Sequence, residues 1–247
     1  EPAEAAPWFL PPIGLGPRAD LCRRLMNWLS ERTDSALPTI ARADGRLAQE
    51  LLATGAWQCQ PQREHFDYVY RTADLINLSG NKYHSKRNHI NNLRRRYRID
   101  YQPLTPELLP ACLALAERWC AFRRCEEDLS LRGEWEAIQL ALANFQALNL
   151  SGAALLINGR VEAFALGELL NATTAVIHIE KANPEIRELY SLINQQFCAE
   201  TWKETEYINR EQDLGEEGLR RAKMSYHPHH LEEKYLLWPL SRENEEE

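Results

Sequence analysis

No two cysteines in this 247-residue chain stand in C-x-x-C spacing, and the six present, Cys22, Cys59, Cys112, Cys120, Cys125 and Cys198, keep no regular interval. A disulfide-stapled miniprotein is excluded, and no ligand spacing supports zinc or another metal. Reduced, mostly buried thiols are the expectation; Cys120 and Cys125, five apart, would face different ways on a helix. A membrane span is lacking too. The longest charge-free stretch, residues 137–159, is broken by Gln139, Asn144, Gln146, Asn149 and Ser151-Gly152. No secretory leader is visible, and the reduced thiols go with an expected cytoplasmic location. The chain opens on Glu1 rather than Met, so it reads as a fragment or a processed form.

One segment lacks acid altogether. Between Asn81 and Arg98 stand Lys82, Lys86, Arg87, Arg94, Arg95, Arg96 and Arg98, with no Asp or Glu. The whole chain has 29 basic and 36 acidic residues, net −7, so this segment carries +7 and the remainder −14. A net acidic balance argues against polyanion binding only if charge is spread evenly, and here it is not. At 44% hydrophobic and 26% charged, the composition excludes disorder and collagen-like repetition and suits one large domain or two ordinary ones.

Strand-like and helix-like segments alternate, which predicts an α/β organisation with no internal sequence repeat. Trp8-Phe9-Leu10 is a short apolar run ended by Pro11-Pro12. Leu21, Leu25, Trp28 and Leu29 recur at helical spacing after Asp20, a plausible cap. Residues 66–70 read as a strand, and the basic segment as an amphipathic helix with Ile90, Leu93 and Tyr97 on one side. A helix starting at Thr105-Pro106 shows Leu109, Cys112, Leu113, Ala116, Trp119 and Cys120 on one face, and a second is marked by Trp135, Ile138, Leu142 and Phe145. Residues 153–157 and 161–169 flank Asn158-Gly159 as a hairpin. There follow a strand over 174–180, a long helix with Ile186, Leu189, Tyr190, Ile193 and Phe197, a short strand at 206–208, a helix near 215–224 and an extended tail through 235–238. Residues 1–7 and 241–247 read as a disordered lead and an acidic tail.

Three polar clusters could carry chemistry. In the basic segment, Lys82, His84, Lys86, Arg87 and Asn88 present cationic and hydrogen-bonding groups suited to phosphate; a solvated helix neutralised by the acidic remainder is the alternative. Strict alternation along residues 176–181 would put His178 and Glu180 on one face, roughly 7 Å apart, as a general-base pair or as a structural pair inside the fold. Asn209, Arg210, Glu211 and Asp213 leave a strand and approach a helix, where ligands collect in α/β sheets. Asp213 with Glu216 also fits a D-x-x-E capping box, and Lys223 and Tyr226 follow as i, i+3 neighbours.

The strings D-Y-V-Y at 67–70, L-S-G-N-K-Y-H-S-K-R-N-H-I-N at 78–91, H-I-E-K-A at 178–182, I-N-Q-Q-F at 193–197 and Y-I-N-R-E-Q-D-L-G-E-E-G-L-R-R-A-K-M-S-Y-H-P at 207–228 resemble one bacterial family. It is the set of uncharacterised proteins grouped with the C-terminal domain of phosphatidylglycerol lysyltransferases, and the likeness runs from about Trp8 to Trp238. The resemblance implies tandem GNAT-like acyltransferase units related to the Fem-type aminoacyl transferases, with a mixed-sheet α/β fold. It implies a partial first unit over 8–100, truncated at its N-terminal side, and a second unit over 101–240. Transfer of an aminoacyl group from aminoacyl-tRNA to an amine or hydroxyl is then expected, with donor phosphate on the 81–98 segment. His178 or Glu180 would be the base, and Lys181, Asn209 or Arg210 would steady the oxyanion; Glu211, Asn194, Asp213, Lys223 and Tyr226 complete the candidate site.

One departure from the GNAT pattern bears on mechanism. Acetyl-CoA-dependent members cradle pyrophosphate on a glycine-rich loop after the central strand. Here that loop is Ala182-Asn183-Pro184-Glu185-Ile186-Arg187, with no glycine, a proline lacking an N–H and a glutamate in the anion's place. The first unit keeps Pro12-Ile13-Gly14-Leu15-Gly16, weakened by Pro17 and Asp20. No acetyl-CoA dependence and no cofactor are therefore expected. A non-catalytic ligand- or nucleic-acid-binding protein on the same scaffold is the rival reading.

Overall fold

Two clusters of buried apolar side chains accompany a division of the chain into two compact units. One comprises residues 1–68, 212–223 and 231–247, the other 69–211 and 224–230. The structure is a computed structural model that describes residues 7–33, 38–186 and 188–240. The lead at 1–6 and the acidic tail lie outside the described residues. Both units are discontinuous in sequence.

The first unit holds a four-stranded sheet in the order β1-β2-β11-β3. Strand β1 (Trp8–Phe9) runs parallel to β2 (Thr39–Asp44), while β11 (Lys234–Pro239) runs antiparallel to both β2 and β3 (Trp57–Pro61). The segment read from sequence as an extended tail is thus an interior strand. Helices α1 (Ala19–Ser30) and α2 (Gly45–Leu52) pack Cys22, Met26, Leu47, Ala48 and Leu51 against Ile40, Ala43, Trp57 and Leu237. Full burial of a leucine of this kind stabilises by roughly 2 kcal/mol. Asp44 caps α2 by accepting the Leu47 N–H at 2.8 Å, and its carboxylate also holds Arg18 at 2.8 and 3.0 Å. Asp20 does not cap α1. That role falls to Glu50, whose Oε1 accepts the N–H groups of Arg18 and Ala19, while Asp20 turns outward to Arg23.

The second unit is built on a mixed sheet in the order β10-β4-β9-β8-β7-β6-β5. Its strands are β4 (Asp67–Arg71), β5 (Ile99–Pro103), β6 (Ser151–Ile157), β7 (Arg160–Asn171), β8 (Thr174–Ala182), β9 (Tyr207–Asn209) and β10 (His230–Glu232). The β6–β7 hairpin closes at Asn158 and Gly159, φ 52° and 77°; this double positive-φ turn suits the right-handed twist of the strands it joins. Helices α5 (Leu109–Arg123) and α6 (Leu129–Ala143) cover one face through Cys112, Leu115, Ala116, Ile138 and Leu142, packed on Phe164, Leu166 and Ile179. The neighbour of Ile179, Glu180, reaches Asn194 of α7 (Leu189–Thr201), so α7 lies on the other face. Two further helices, α3 (Thr72–Asn77) and α4 (His84–Arg96), complete this unit, and Ile90 and Leu93 dock α4 as the periodicity predicts. Helix α8 (Glu217–Met224) follows β9.

One cysteine expectation is corrected. Cys120 and Cys125 are joined in a disulfide with their Cα atoms 5.1 Å apart. The helical-wheel argument fails because α5 stops at Arg123 and Arg124 takes a left-handed φ of 54°, which folds Cys125 back onto the helix end. Cys22, Cys59, Cys112 and Cys198 remain free.

Candidate active site at a splayed pair of strands

Strands β8 and β9 run parallel, yet they pair only from Thr174 to Val176 against Tyr207 to Asn209. Beyond Val176, β8 continues to Ala182 without β9 beside it, so the sheet opens at the C-terminal ends of two parallel strands. Such an opening exposes backbone and side chains from both strands to one ligand. Glu180 and Arg210 bridge it on the α7 face. Arg210 donates from Nη2 to Glu180 Oε2, and Asn194 Nδ2 donates to Glu180 Oε1 at 2.9 Å. The Arg210 and Glu180 side chains are only 12% and 11% exposed.

Aromatic rings complete this face. The guanidinium carbon of Arg210 lies 4.9 Å from the ring centre of Tyr226 and 5.8 Å from that of Tyr70, and the two rings meet edge to face at 6.4 Å. Tyr226 is fixed by its own hydroxyl, which donates to Ser191 Oγ at 3.3 Å, and by its carbonyl, which accepts from the Tyr83 hydroxyl at 2.8 Å. Burial works against the Arg210 charge, but Glu180 and the two rings more than offset it, so the guanidinium is held above its already high value. On the Tyr226 ring also sits Lys86, its Nζ 4.0 Å from the ring centre. Burial first, and the Arg210 charge second, push Lys86 down to about 8.

The other face is arranged differently from the sequence expectation. Leu166 pairs with Ile179 and Gly167 with Ile177, which leaves His178 as the extra residue of a β-bulge. Alternation is broken there, and His178 turns away from Glu180 rather than sharing its face. Gly167 permits this kink, since a Cβ at that position would collide with the Val176 carbonyl oxygen. His178 Nδ1 meets Glu211 at 2.8 Å and Nε2 meets Glu168 at 3.1 Å, so both carboxylates favour the doubly protonated ring. The Glu211 hydrogen bond, outweighing burial and aided by Glu168, raises the His178 pKa. Glu211 itself has φ 55°, and its N–H is accepted by Asn209 Oδ1 at 2.7 Å; Asn209 therefore shapes the turn that delivers Glu211.

The chain matches the phosphatidylglycerol lysyltransferase C-terminal family over residues 3–238. It belongs to that family. A conserved protein of unknown function from Bacteroides thetaiotaomicron VPI-5482 is 34% identical with a TM-score of 0.87, the alignment covering 94% of this chain and 79% of that one. L-PGS from Bacillus licheniformis is 14% identical, TM-score 0.63, over 96% of this chain and 79% of the other. FemX is 8% identical, TM-score 0.52, over 96% and 82%. At such identities the last two likenesses are of fold, and they agree with the mixed α/β architecture expected from sequence. No curated protein sequence matches the chain.

Other candidate residues of this family member are occupied structurally. Lys181 is buried on the α5–α6 side, its Nζ 2.7 Å from Glu134 and 3.4 Å from the centre of the Trp119 ring. Arg87 donates to the carbonyls of Leu78 and Gly80, Lys82 pairs with Asp74 at 3.9 Å, and His84 meets Asn88 at 2.8 Å. The cationic surface is thus smaller than the count of +7 implies, with Arg94 and Arg95 exposed on it. Within the first unit, Asp213 is fully buried and its carboxylate accepts from Tyr68 at 2.6 Å, Arg63 at 3.1 Å and Arg220 at 2.8 and 3.0 Å. It bonds the Gly215 N–H at 2.9 Å, an Asx turn ahead of α8 rather than the expected capping box. Lys223 donates to the Gln212 carbonyl beside the Tyr68 ring.

In the loop after β8, the amides of Asn183, Glu185 and Ile186 are bonded to Glu162 O, Asn183 Oδ1 and Asn183 O, so none of the three points outward for an anion. Tyr70, Ser191, Glu168 and Glu134 were not singled out by sequence reasoning. Tyr70 alone left a trace, as an aromatic strand residue within the D-Y-V-Y string.

Proposed function

We propose that this domain transfers an aminoacyl group from aminoacyl-tRNA to an amine or hydroxyl acceptor at the mouth of the β8–β9 splay. The observation that carries the reading is Arg210, a permanently charged donor held in fixed geometry by Glu180, Tyr70 and Tyr226 where two parallel strands part. Attack on an ester carbonyl develops an oxyanion, and a preorganised guanidinium in a partly water-excluded setting stabilises it without having to reorganise. Glu180, bonded by both Arg210 and Asn194, acts as the residue that positions this cation. Arg94 and Arg95 on α4 offer charge to the phosphates of the donor. Fem-type enzymes, which the fold resembles, lend the tRNA donor to this proposal.

Among the described residues no helix is long and apolar enough to cross a membrane. The acceptor test therefore includes dispersed lipids as well as soluble amines and alcohols. Incubation with radiolabelled aminoacyl-tRNA and these acceptors should move label from tRNA to acceptor, and Arg210→Met should abolish the transfer. Retention of charged tRNA at low salt, with label left on the tRNA by wild type, would make the chain a binding protein on this scaffold instead.

A further inference from the structure

Glu180 is spent on Arg210 and Asn194, and no carboxylate pairs with Lys86 among the described residues. Arg210 and the Tyr226 ring stand against Lys86, and these two are in turn held by groups from other elements. Arg210 follows β9, Tyr226 follows α8, Tyr70 lies on β4, and Ser191 on α7 holds the Tyr226 hydroxyl. On its own helix, Arg87 is turned onto backbone carbonyls and His84 onto Asn88. A half-buried amine beside a permanent cation, and without an anionic partner, loses little by giving up its proton. The two groups share the Tyr226 ring, the Lys86 Nζ 4.0 Å and the Arg210 guanidinium carbon 4.9 Å from its centre.

We propose that Lys86 is the catalytic proton acceptor of the acyl transfer, an inference that rests on the acyltransferase reading of this site. The neutral Lys86 amine takes the proton of the acceptor amine or hydroxyl as that atom forms its bond to the acyl carbonyl carbon. Collapse of the tetrahedral oxyanion breaks the ester C–O bond, and the Lys86 ammonium returns the proton to the departing ribose oxygen. Atoms and protons balance, and no further reactant is needed. The burial that lowers the Lys86 pKa to about 8 leaves a useful fraction of free amine near neutral pH.

Two measurements test this. Side-chain NMR of lysine-labelled protein, with the Lys86 signal assigned by its loss in Lys86→Arg, should show Lys86 titrating near 8. Transfer by wild type should rise with pH through the same range. Lys86→Arg, which keeps the charge and removes the base, should lower kcat by about 100-fold or more while leaving KM for the charged tRNA within about twofold. Titration of Lys86 together with the ordinary lysines overturns the proposal, as does a Lys86→Arg variant with wild-type kcat and pH profile. Wild-type protein that moves no acyl group at any pH defeats the acyltransferase reading and this role with it, whereas an active Lys86→Arg enzyme defeats the role alone.

Discussion

Replacing Glu180 with Gln removes one charge from a pair whose side chains are 11% and 12% exposed and leaves Arg210 with a neutral acceptor. Breaking a buried ion pair on one side costs about 3–5 kcal/mol, because the remaining charge has neither water nor a counterion. Gln keeps an oxygen that can accept from Arg210 or from Asn194 but not the charge that held both, so the lower end, about 3 kcal/mol, applies. For a chain of this size each kcal/mol shifts Tm by about 2–4 °C, which gives a fall of about 6–12 °C. Urea and thermal unfolding followed by tryptophan fluorescence measure it directly. The double variant Glu180→Leu/Arg210→Met removes the orphaned charge and should be more stable than the sum of its single variants by at least about 1.5 kcal/mol. Single effects that add to within about 0.5 kcal/mol would refute the argument, since they would mean that Arg210 does not depend on Glu180 for its charge.

Gly167→Ala should destabilise by about 2 kcal/mol, because its Cβ meets the backbone of β8, which has no rotamer to move. The control Gly133→Ala, in open space on α6, should raise Tm slightly by restricting the unfolded chain. Asp213 is held well below the usual carboxylate range: burial raises its pKa, but the bonds from Arg220, Tyr68 and the Gly215 N–H outweigh that. Its contribution to stability is therefore present above about pH 4, where the unfolded side chain ionises, and is lost as pH falls further. Wild type should lose stability on acidification below that point, and Asp213→Asn, already weakened at neutral pH, should lose less; equal slopes would count against the hub. His178, raised by Glu211, should stay protonated above the ordinary histidine range in an NMR titration, and Glu211→Gln should bring it down. The sign is opposite to that of Asp213: this contribution is full at low pH and fades as pH rises through the raised value.

Local signals in the chain were read well where they act alone. Asn158-Gly159 specified the hairpin, the apolar spacing of Leu189, Ile193 and Phe197 marked α7, and the docked stripe of α4 followed from Ile90 and Leu93. Strands β2 and β3 and helix α2 went unread. The β2 side chains acquire their buried neighbours from β11, almost two hundred residues later, so no local window shows why Ile40 and Ala43 are interior. The same distance effect governs the site. Glu180 and Arg210 were each legible as candidates, but alternation misplaced His178, because the bulge that reverses it is permitted by Gly167 on the neighbouring strand. Charge counting likewise overestimated the α4 surface, since the carbonyls of Leu78 and Gly80 that take up Arg87 carry no signature in composition.

The position of β11 also bears on how the molecule is made. Residues 234–239 fill the place between β2 and β3, so the first unit cannot close its sheet until residues 69–230 have been made. Until then β2 and β3 each present an unpaired edge, the hazard that sheets normally cover. Most of the second unit, residues 69–211, is by contrast contiguous and translated earlier. The unit that begins first is therefore finished last, and nascent chains stalled before Lys234 should be the ones that chaperones hold.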